Sequence, residues 1–462
     1  MRDGILLATI NAKWIHPSLA LRLLKANLGP LGERCEIMEF ALRQPLSEKT
    51  EPILRAQPRI LGLSVSIWNL TATLELLKEL RKTWEGEGGP RPFVVLGGPE
   101  VSYLPEGAEI FRYADCRVLG EGETAFRELC EALFGGGKKP TVVNREFAQV
   151  DLNAIKTGYG LYTDEDVRKK LVYVEASRGC PYSCEFCLSA HDRKVREFPL
   201  EPFLGEMRGL IFRGVRTFKF LDRSFNINTA RAKRIMEFFL EHLEDGHSFT
   251  VHFEMVPFLF PPELTETIAR FPPGSLRLEI GIQTLNPDVS VLIGRSPDPI
   301  RGLEALRLLR RKTHAIIHAD LIAGLPGEDM ASFAKGFDML WEALSGNTPV
   351  EVQLGILKLL PGAPIARHST SRYSPSPPYE VIETASISFR DLDRIKNFAR
   401  FWELIVNRGL VDPGPLLVFD RFMVLADSLF ARFGRNWGIP KADLIECTKG
   451  WARTGASKAV DF

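Results

Sequence analysis

The chain has 462 residues, with 59 Lys and Arg against 58 Asp and Glu, so its formal net charge is +1. This length exceeds one ordinary hydrophobic core and predicts two or three domains. The balanced charge excludes a global attraction to nucleic acid or to an anionic membrane, and no apolar run is long enough to predict a transmembrane helix.

Residues 1–140 alternate strand and helix patterns and are predicted to form the first domain. Buried strands with intervening helices predict a doubly wound parallel sheet of the Rossmann or flavodoxin type. The N-terminal apolar run is predicted to be a buried strand rather than a signal peptide. A polar linker is expected over 141–170. The predicted strands are 4–10, 35–41, 59–66, 92–96 and 116–119, and the predicted helices are 18–28, 70–83 and 123–134.

A second alternating series predicts a partial (β/α)6 barrel over 171–368. In such a barrel the active site lies at the C-terminal ends of the strands. The predicted strands are 171–177, 216–221, 249–255, 276–282, 315–322 and 350–359, and the predicted helices are 200–212, 229–243, 263–270, 300–312 and 330–344.

Ser and Pro dominate residues 369–379 and mark a boundary, so 369–462 is predicted to be a helical C-terminal domain. Aromatic residues recur there at helical spacing, which indicates core packing rather than a substrate cradle. Its basic residues are interleaved with acids, which gives little support to nucleic-acid binding.

Three cysteines, Cys180, Cys184 and Cys187, lie on one short loop directly after the first strand of the second series. Three thiolates on a bent loop can ligate three irons of a [4Fe–4S] cluster and leave the fourth iron open for another ligand. A zinc site is the alternative, but zinc prefers four ligands and no fourth Cys or clustered His stands at a usual spacing.

The other four cysteines stand apart from this loop and are expected to be buried small hydrophobes. An odd total of seven cysteines argues against a disulfide scaffold and indicates the reducing cytoplasm. These four are Cys35, Cys116, Cys130 and Cys447.

The pattern C-x-x-x-C-x-Φ-C, with Phe186 at the aromatic position Φ, resembles the signature of radical S-adenosylmethionine (SAM) enzymes without deviation. The resemblance implies that Cys180, Cys184 and Cys187 hold the cluster and that its open iron chelates the amino and carboxylate groups of SAM. It also implies reductive cleavage of SAM to a 5′-deoxyadenosyl radical, with an external electron donor of flavodoxin or ferredoxin type. An iron–sulfur scaffold protein without SAM cleavage is the non-enzymatic alternative.

Polar residues at the predicted strand ends match further parts of that family's pattern. The segment 220–225 resembles F-x-D-D-x-F, with Arg223 in place of the second Asp. Glu279 and Gln283 belong to an E-x-G-x-Q strand that in relatives faces the SAM ribose and carboxylate. The resemblance therefore implies that Asp222, Glu279 and Gln283 are catalytic and SAM-binding residues.

The loop 324–328 matches a segment that passes near adenine in relatives. Phe186 is expected to contact the cofactors, and Arg193 and Arg196 are candidates for pairing with the SAM carboxylate. Structural alternatives remain open: Asp222 as a helix cap, Arg196 as a surface ion pair, and Glu254 as a salt bridge within the barrel wall.

Three turns in the first domain resemble those of cobalamin-binding domains fused ahead of radical SAM barrels. They are a Ser-rich loop after the third strand, a double-Gly loop after the fourth and a G-E-G-E turn after the fifth. Their glycines tolerate unusual backbone angles and leave room for the nucleotide tail of the cofactor. The cobalamin-binding residues implied are Ser64, Ser66, Trp68, Asn69, Gly97, Gly98, Pro99, Glu100, Gly120, Glu121 and Gly122.

The D-x-H-x-x-G motif, whose His ligates cobalt in many methyltransferases, is absent. His16 lies in the corresponding loop, without the Asp or the Gly of the motif. It is a candidate cobalt ligand, and the alternative is a helix-start His hydrogen-bonded to backbone. In relatives that lack a protein ligand, side chains like those of residues 67–69 cover the lower face of cobalamin.

The resemblance implies a cobalamin-dependent radical SAM enzyme. We expect a methyltransferase that methylates an unactivated carbon of a small molecule, using methylcobalamin and a 5′-deoxyadenosyl radical. The alternatives are a cobalamin-using cyclase or rearrangement enzyme without methyl transfer, and a radical SAM RNA-modifying enzyme with a second cluster on amino-terminal cysteines.

Overall fold

A computed structural model describes residues 3–86, 91–296, 298–344, 349–368, 370–411 and 417–453. Its first sheet has six parallel strands in the order β2-β1-β3-β4-β5-β6. This is the flavodoxin-like order, which reverses between β1 and β3 and creates a ligand crevice at their C-terminal ends. The strands are β1 Ile5–Asn11, β2 Cys35–Ala41, β3 Ile60–Ser64, β4 Phe93–Gly97, β5 Cys116–Val118 and β6 Val142–Val143.

Five helices accompany this sheet: α1 Leu19–Ala26, α2 Leu46–Ala56, α3 Leu70–Gly86, α4 Pro99–Tyr103 and α5 Glu123–Phe134. Helix α2 was not predicted, because Pro52 inside it and its polar composition weaken the helical pattern. Buried Ile53 and Ala56 pack into the core on one face of the sheet, and this packing outweighs the low propensity.

The segment predicted to be an irregular linker contains a short helix, α6 Asp164–Lys169, started by a capping box between Thr163 and Asp166. Arg22, which is 3% exposed, lies 2.8 Å from Glu39 and 2.7 Å from Asp166. Although burial opposes the charged form, Lys170 and Arg22 hold the pKa of the Asp166 carboxyl below its usual range. This buried ion group joins α6 to α1. Buried apolar side chains of the same segment, such as Leu152, Tyr159 and Val167, also hold it in place.

The second sheet has six strands in the order β14-β13-β12-β11-β10-β7, which follows the chain without a crossover. The first and last strands are not neighbours, so the sheet is open, as expected for a partial (β/α)6 barrel. The strands are β7 Val172–Val174, β10 Thr217–Phe220, β11 Thr250–Met255, β12 Leu276–Gln283, β13 Ile316–Ala323 and β14 Val350–Ile356.

Helices follow these strands largely where periodicity predicts them. The short α10 was not predicted, because six residues give little periodicity.

Two strand pairs lie outside the main sheets: β8 Ser177–Arg178 with β9 Arg196–Glu197, and β15 Arg372–Tyr373 with β16 Val381–Glu383. The helices are α7 Leu200–Phe212, α8 Thr229–Glu244, α9 Pro262–Ala269, α10 Pro287–Leu292, α11 Ile300–Lys312 and α12 Met330–Ala343.

The chain divides into two compact units, Met1–Arg178 with Arg196–Leu221 and Gly179–Val195 with Asp222–Phe462. In the second unit, β12 and β13 alternate strictly between fully buried apolar residues and partly buried residues, most of them polar. The apolar face packs against helices, so the charged residues share the opposite face. This alternation places a row of ionisable side chains beside the candidate site.

The C-terminal helices are α13 Phe389–Trp402, continued by a π-helical turn Glu403–Asn407, α14 Phe419–Phe433 and α15 Lys441–Arg453. The rings of Phe337, Phe398, Trp402, Phe419 and Phe422 lie 4.8–5.8 Å apart and are buried. The predicted aromatic stripe is therefore core packing, as expected. Residues 369, 412–416 and 454–462 of the predicted C-terminal domain lie outside the described residues. No described helix is long and apolar enough to cross a membrane.

Candidate active site

The three-cysteine loop begins directly after β8 and is tightly curled. Gly179 has φ +92°, and a Cβ there would lie 2.3 Å from the carbonyl oxygen of Lys194, so only glycine fits. The amide of Cys180 donates to the carbonyl of Asp192 at 2.8 Å, and the amide of Cys187 donates to the carbonyl of Cys184 at 3.0 Å. These bonds hold the cysteine-bearing segment in a closed turn.

Two other segments of the same unit anchor this loop through Glu185, which is 8% exposed. The amide of Glu185 donates to the carbonyl of Ile293 at 3.0 Å, and its own carbonyl accepts from Ile365 at 2.8 Å. Its carboxylate pairs with His368 at 2.7 Å and with Arg367. The Glu185 clamp fixes the backbone between the second and third cysteines.

All three thiols line one cavity of about 300 Å³ together with Phe186. They are free and partly exposed, and burial raises the pKa of the Cys180 and Cys184 thiols. Among the described residues, no three His, Cys, Asp or Glu side chains converge on a position for a single metal ion. Three soft donors spread around one cavity suit a multi-atom [4Fe–4S] cluster with one open iron.

Strand β12 forms the facing wall, where Glu279, Gly281 and Gln283 all line the cavity. Gln283 has φ +71°, which is strained for a residue with a side chain. A Cβ at position 281 would lie 2.3 Å from Nε2 of Gln283, so the glycine makes room for the glutamine side chain. This contact bears on Gly281 and Gln283 only, and a role of Glu279 and Gln283 toward SAM stays a prediction.

A row of ionisable side chains continues from the β12 wall, and the sequence analysis did not predict it. The Nε2 of His252 lies 3.0 Å from a Glu279 oxygen, and His318 lies 3.0 Å from both Asp320 and Glu351. Although burial favours the neutral imidazole, these two carboxylates raise the pKa of His318 to about 9. In the sequence, this row is indicated by polar residues at every second position of successive strands, because such residues share one face of the sheet.

Asp222 and Arg223 separate at the end of β10. Asp222 is 2% exposed and does not line the cavity. Arg223 does line it, with a guanidinium nitrogen 3.5 Å from Glu254. The salt-bridge alternative for Glu254 is thus present, and a role for Asp222 toward SAM stays a prediction.

Arg196 does not line the cavity either. Its guanidinium lies 2.6 Å from Glu121 and donates to the carbonyl of Val150 at 3.1 Å. Arg178 in turn lies 2.6 Å from Glu123 and 2.7 Å from Glu175. The acids of the G-E-G-E turn are therefore engaged in a partly buried ion-pair network, and the role of Glu121 and Arg196 toward cofactors stays a prediction.

The Ser-rich loop after β3 lies at the crevice of the first sheet. Asn69 is fully buried, accepts from the Ser66 amide at 2.8 Å and donates to the carbonyl of Ile10 at 2.9 Å. Trp68 donates to the same carbonyl at 3.2 Å and remains 51% exposed. Asn69 thus braces the loop, and cobalamin binding by Trp68 stays a prediction.

The double-Gly loop makes a close backbone contact with this region. Gly98 has φ +104° and ψ 175°, and a Cβ there would lie 2.5 Å from the carbonyl oxygen of Val65. Glu100 is 3% exposed, and neither carboxylate oxygen has a hydrogen-bond partner among the described residues. A glycine cradle beside an unsatisfied buried carboxyl fits a ligand that carries hydrogen-bond donors, as the amide side chains of cobalamin do.

His16 is already engaged within the first unit. Its Nδ1 lies 2.7 Å from the hydroxyl of Tyr173, and burial lowers the pKa of His16. The expected hydrogen bond to backbone is thus replaced by one to a side chain. This contact orients the ring through Nδ1 and leaves Nε2 unassigned, so the candidacy of His16 as a cobalt ligand stays a prediction.

Glu100 gives a pH-dependent prediction for the cofactor-free protein. Burial raises the pKa of Glu100 from 4.5 to about 7, so the folded state binds the proton more tightly than the unfolded state. The free energy of unfolding should therefore fall as pH rises from about 4.5 to about 7. Glu100→Gln should reduce this fall in urea unfolding, whereas Glu128→Gln in α5 should leave it unchanged. The remaining fall is expected from Glu328, because burial also raises the pKa of Glu328 to about 7. An unchanged pH profile in Glu100→Gln would contradict the prediction.

A flavodoxin-like sheet followed by an open parallel barrel with a three-thiol loop defines a class of protein that pairs a cofactor-binding domain with an iron–sulfur radical domain. Residues 5–130 match the family model of the B12 binding domain, and residues 174–340 match that of the radical SAM superfamily. The chain carries a B12-binding domain ahead of a radical SAM domain. Both the fold class and the cofactor set predicted from the sequence, a [4Fe–4S] cluster, SAM and cobalamin, are confirmed.

Two curated relatives are similar over much of the chain. An uncharacterized methyltransferase of Pyrococcus horikoshii is 26% identical over 56% of this chain and 61% of its own length. The cobalamin-dependent radical SAM methyltransferase TokK of Streptomyces tokunonensis is 27% identical over 70% of this chain and 50% of its own length. The chain thus spans about half to three fifths of the length of these relatives.

Solved structures show the same fold. The radical SAM methyltransferase TsrM from Kitasatospora setae, with tryptophan substrate and a SAM analog bound, gives a TM-score of 0.64 at 17% identity, covering 83% of this chain and 80% of that one. The cobalamin-dependent SAM radical enzyme OxsB, with aqua-cobalamin and SAM bound, gives a TM-score of 0.65 at 14% identity. The match covers 97% of this chain and 79% of that one.

Proposed function

We propose that this protein is a cobalamin-dependent radical SAM methyltransferase that methylates an unactivated carbon of a small molecule. The observation that carries the proposal is the cavity in which three free thiols share walls with Glu279 and Gln283. The relatives named as methyltransferases support the reaction class. A small molecule is favoured over a nucleic acid because the chain has no global positive charge.

In this proposal, Cys180, Cys184 and Cys187 hold the cluster, and Glu279 and Gln283 orient SAM. When bound, the cluster and SAM supply hydrogen-atom abstraction from carbon, and cobalamin supplies methyl transfer. The protein's part is to place the reacting groups and to exclude water. Aromatic and apolar side chains around the thiols suit that exclusion. They are Tyr182, Phe186, Met255, Val256, Pro257 and Phe258.

Cobalamin is proposed to occupy the crevice of the first sheet. Trp68 is proposed to face the corrin ring, and the backbone of Gly97 and Gly98 to face the nucleotide tail. Glu100 is proposed to accept a hydrogen bond from a cofactor amide. The cofactor is proposed to lack a protein ligand below cobalt, because His16 stands without the Asp and the Gly of the D-x-H-x-x-G motif. His16→Ala should then leave the cobalt spectrum unchanged.

An external electron donor of flavodoxin or ferredoxin type is proposed, together with a reducing cytoplasmic location. Reduction of the cluster needs an electron, and the described cysteines outside the loop are all buried. Because of this burial they are poor candidates for ligands of a second cluster that could relay electrons. The oxygen sensitivity expected of an open iron site supports the reducing compartment.

The same burial argues against an RNA methylthiotransferase, which needs a second cluster on amino-terminal cysteines. Cys35, Cys116 and Cys130 are at most 2% exposed in one apolar core. Burial raises the pKa of Cys35 to about 12 and that of Cys116 to about 11. Ligation by these thiols would require opening that core.

The test uses anaerobically reconstituted protein with SAM carrying a deuterated methyl group, hydroxocobalamin and a strong reductant. We expect both S-adenosylhomocysteine and 5′-deoxyadenosine by mass spectrometry, because a methyltransferase of this type uses SAM in two ways. 5′-Deoxyadenosine without S-adenosylhomocysteine would instead favour a cobalamin-using cyclase or rearrangement enzyme. Formation of neither product would contradict the proposed function.

A further inference from the structure

Arg295 lies beside the cluster loop although it is far from that loop in sequence. It follows Gly294, which has φ +71° and whose Cβ would lie 2.6 Å from the carbonyl oxygen of Ser183. The backbone of Arg295 is fixed because its amide donates to the carbonyl of Ser290 at 2.8 Å. The close approach at Gly294 therefore sets the start of the Arg295 side chain directly against the loop.

The guanidinium of Arg295 makes two contacts in different directions. Its Nη2 donates to the carbonyl of Gly281 at 2.7 Å, and its Nη1 lies 3.5 Å from the sulfur of Cys184. The first contact orients the planar group on β12, which directs the second toward the sulfur. Arg295 also lines the cavity with all three thiols.

Hydrogen bonds to ligand sulfurs are one of the factors that set the reduction potential of an iron–sulfur cluster. A reduced cluster carries one more negative charge than an oxidised one. A cationic donor on a ligand sulfur therefore stabilises the reduced state more than the oxidised state.

We propose that Arg295 is a positioning residue that donates a hydrogen bond to the Cys184 sulfur in the cluster-loaded protein and makes the cluster easier to reduce. The inference rests on the proposed function only in that the three cysteines hold a cluster. It concerns the resting cluster and needs neither SAM nor a methyl acceptor. A role limited to binding SAM is the competing explanation, and it predicts no effect when SAM is absent.

The first experiment measures the midpoint potential of the reconstituted cluster by EPR-monitored titration without SAM. Arg295→Met, which removes both charge and donor, should shift the potential to more negative values. Arg295→Lys keeps the charge but cannot bridge Gly281 and Cys184 with a planar fork, so it should shift the potential less. Arg223→Met is the matched control, because Arg223 lines the same cavity and its ion pair is with Glu254. It should shift the potential less than Arg295→Met does.

Equal shifts in Arg295→Met and Arg223→Met would overturn the inference, because they would indicate general cavity charge rather than a specific bond. An unchanged potential combined with weaker SAM binding would overturn it in favour of a SAM-binding role. A wild-type protein that binds no cluster would instead contradict the proposed function.

The second experiment uses protein labelled with 15N-arginine, and its first readout, on the wild type, does not depend on a variant retaining its cluster. Electron–nuclear double resonance of the reduced cluster should show a nitrogen coupling from a nearby guanidinium. The coupling should be lost or strongly reduced in Arg295→Lys. Absence of any arginine coupling in the wild type would overturn the inference.

Discussion

Replacement of Cys184 by alanine is expected to abolish cluster binding and, with it, reductive cleavage of SAM. The loop supplies only three thiols, and the other described cysteines are buried elsewhere, so no thiol is available to replace the missing one. Two ligands cannot retain a cluster whose fourth iron is already open. The fold should survive, because the loop backbone is anchored through Glu185.

Iron and sulfide content, the EPR spectrum after reduction and 5′-deoxyadenosine formation are the measurements. The matched control is Cys447→Ala, a buried cysteine of α15. It should retain wild-type iron content and cleavage, even with a small loss of stability. A Cys184→Ala protein with full iron and full cleavage would show that the three-cysteine loop is not the cluster site.

Gly98→Ala is expected to destabilise the first unit by about 3 kcal/mol before any cofactor is added. The backbone of Gly98 lies in a region that is essentially restricted to glycine, and an added Cβ would meet the Val65 carbonyl at 2.5 Å. Urea unfolding of the cofactor-free protein is the measurement. Unchanged stability would show that the loop relaxes at little cost.

Gly97→Ala is the matched variant that separates folding from cofactor binding. A Cβ at Gly97 would lie 3.7 Å from the Val118 carbonyl, which is ordinary contact, so the stability of the cofactor-free protein should hardly change. Affinity for hydroxocobalamin should nevertheless fall several-fold if the tail passes this backbone. Wild-type affinity in Gly97→Ala would place the cofactor tail elsewhere.

The features that could be predicted from sequence are those that short segments specify. Helices α7 and α11 begin and end where periodicity places them, and the alternation of strands and helices gave both sheets. The three-cysteine loop was identified because ligand spacing and the aromatic residue Phe186 are local. The Gly-rich turns were identified for the same reason.

The features that could not be predicted depend on partners distant in sequence. Arg295 reaches Cys184 across 111 positions, and nothing near residue 295 indicates a cluster neighbour. The sequence analysis instead proposed Arg193 and Arg196, which lie close to the cysteines, as partners of the SAM carboxylate. In the structure, Arg196 pairs with Glu121. The burial of Glu100 and Asp166 could not be predicted either, because it depends on tertiary contacts and acidic residues are usually exposed.

The Glu185 clamp bears on when the protein can acquire its metal. Glu185 is held by Arg367 and His368, which emerge from the ribosome 182 and 183 residues after it. A nascent chain that has exposed only the cysteines lacks the partners that hold the loop in shape. Contacts so distant in sequence form late in folding. Cluster insertion is therefore expected to be a late step of biogenesis, after most of the chain has been synthesised.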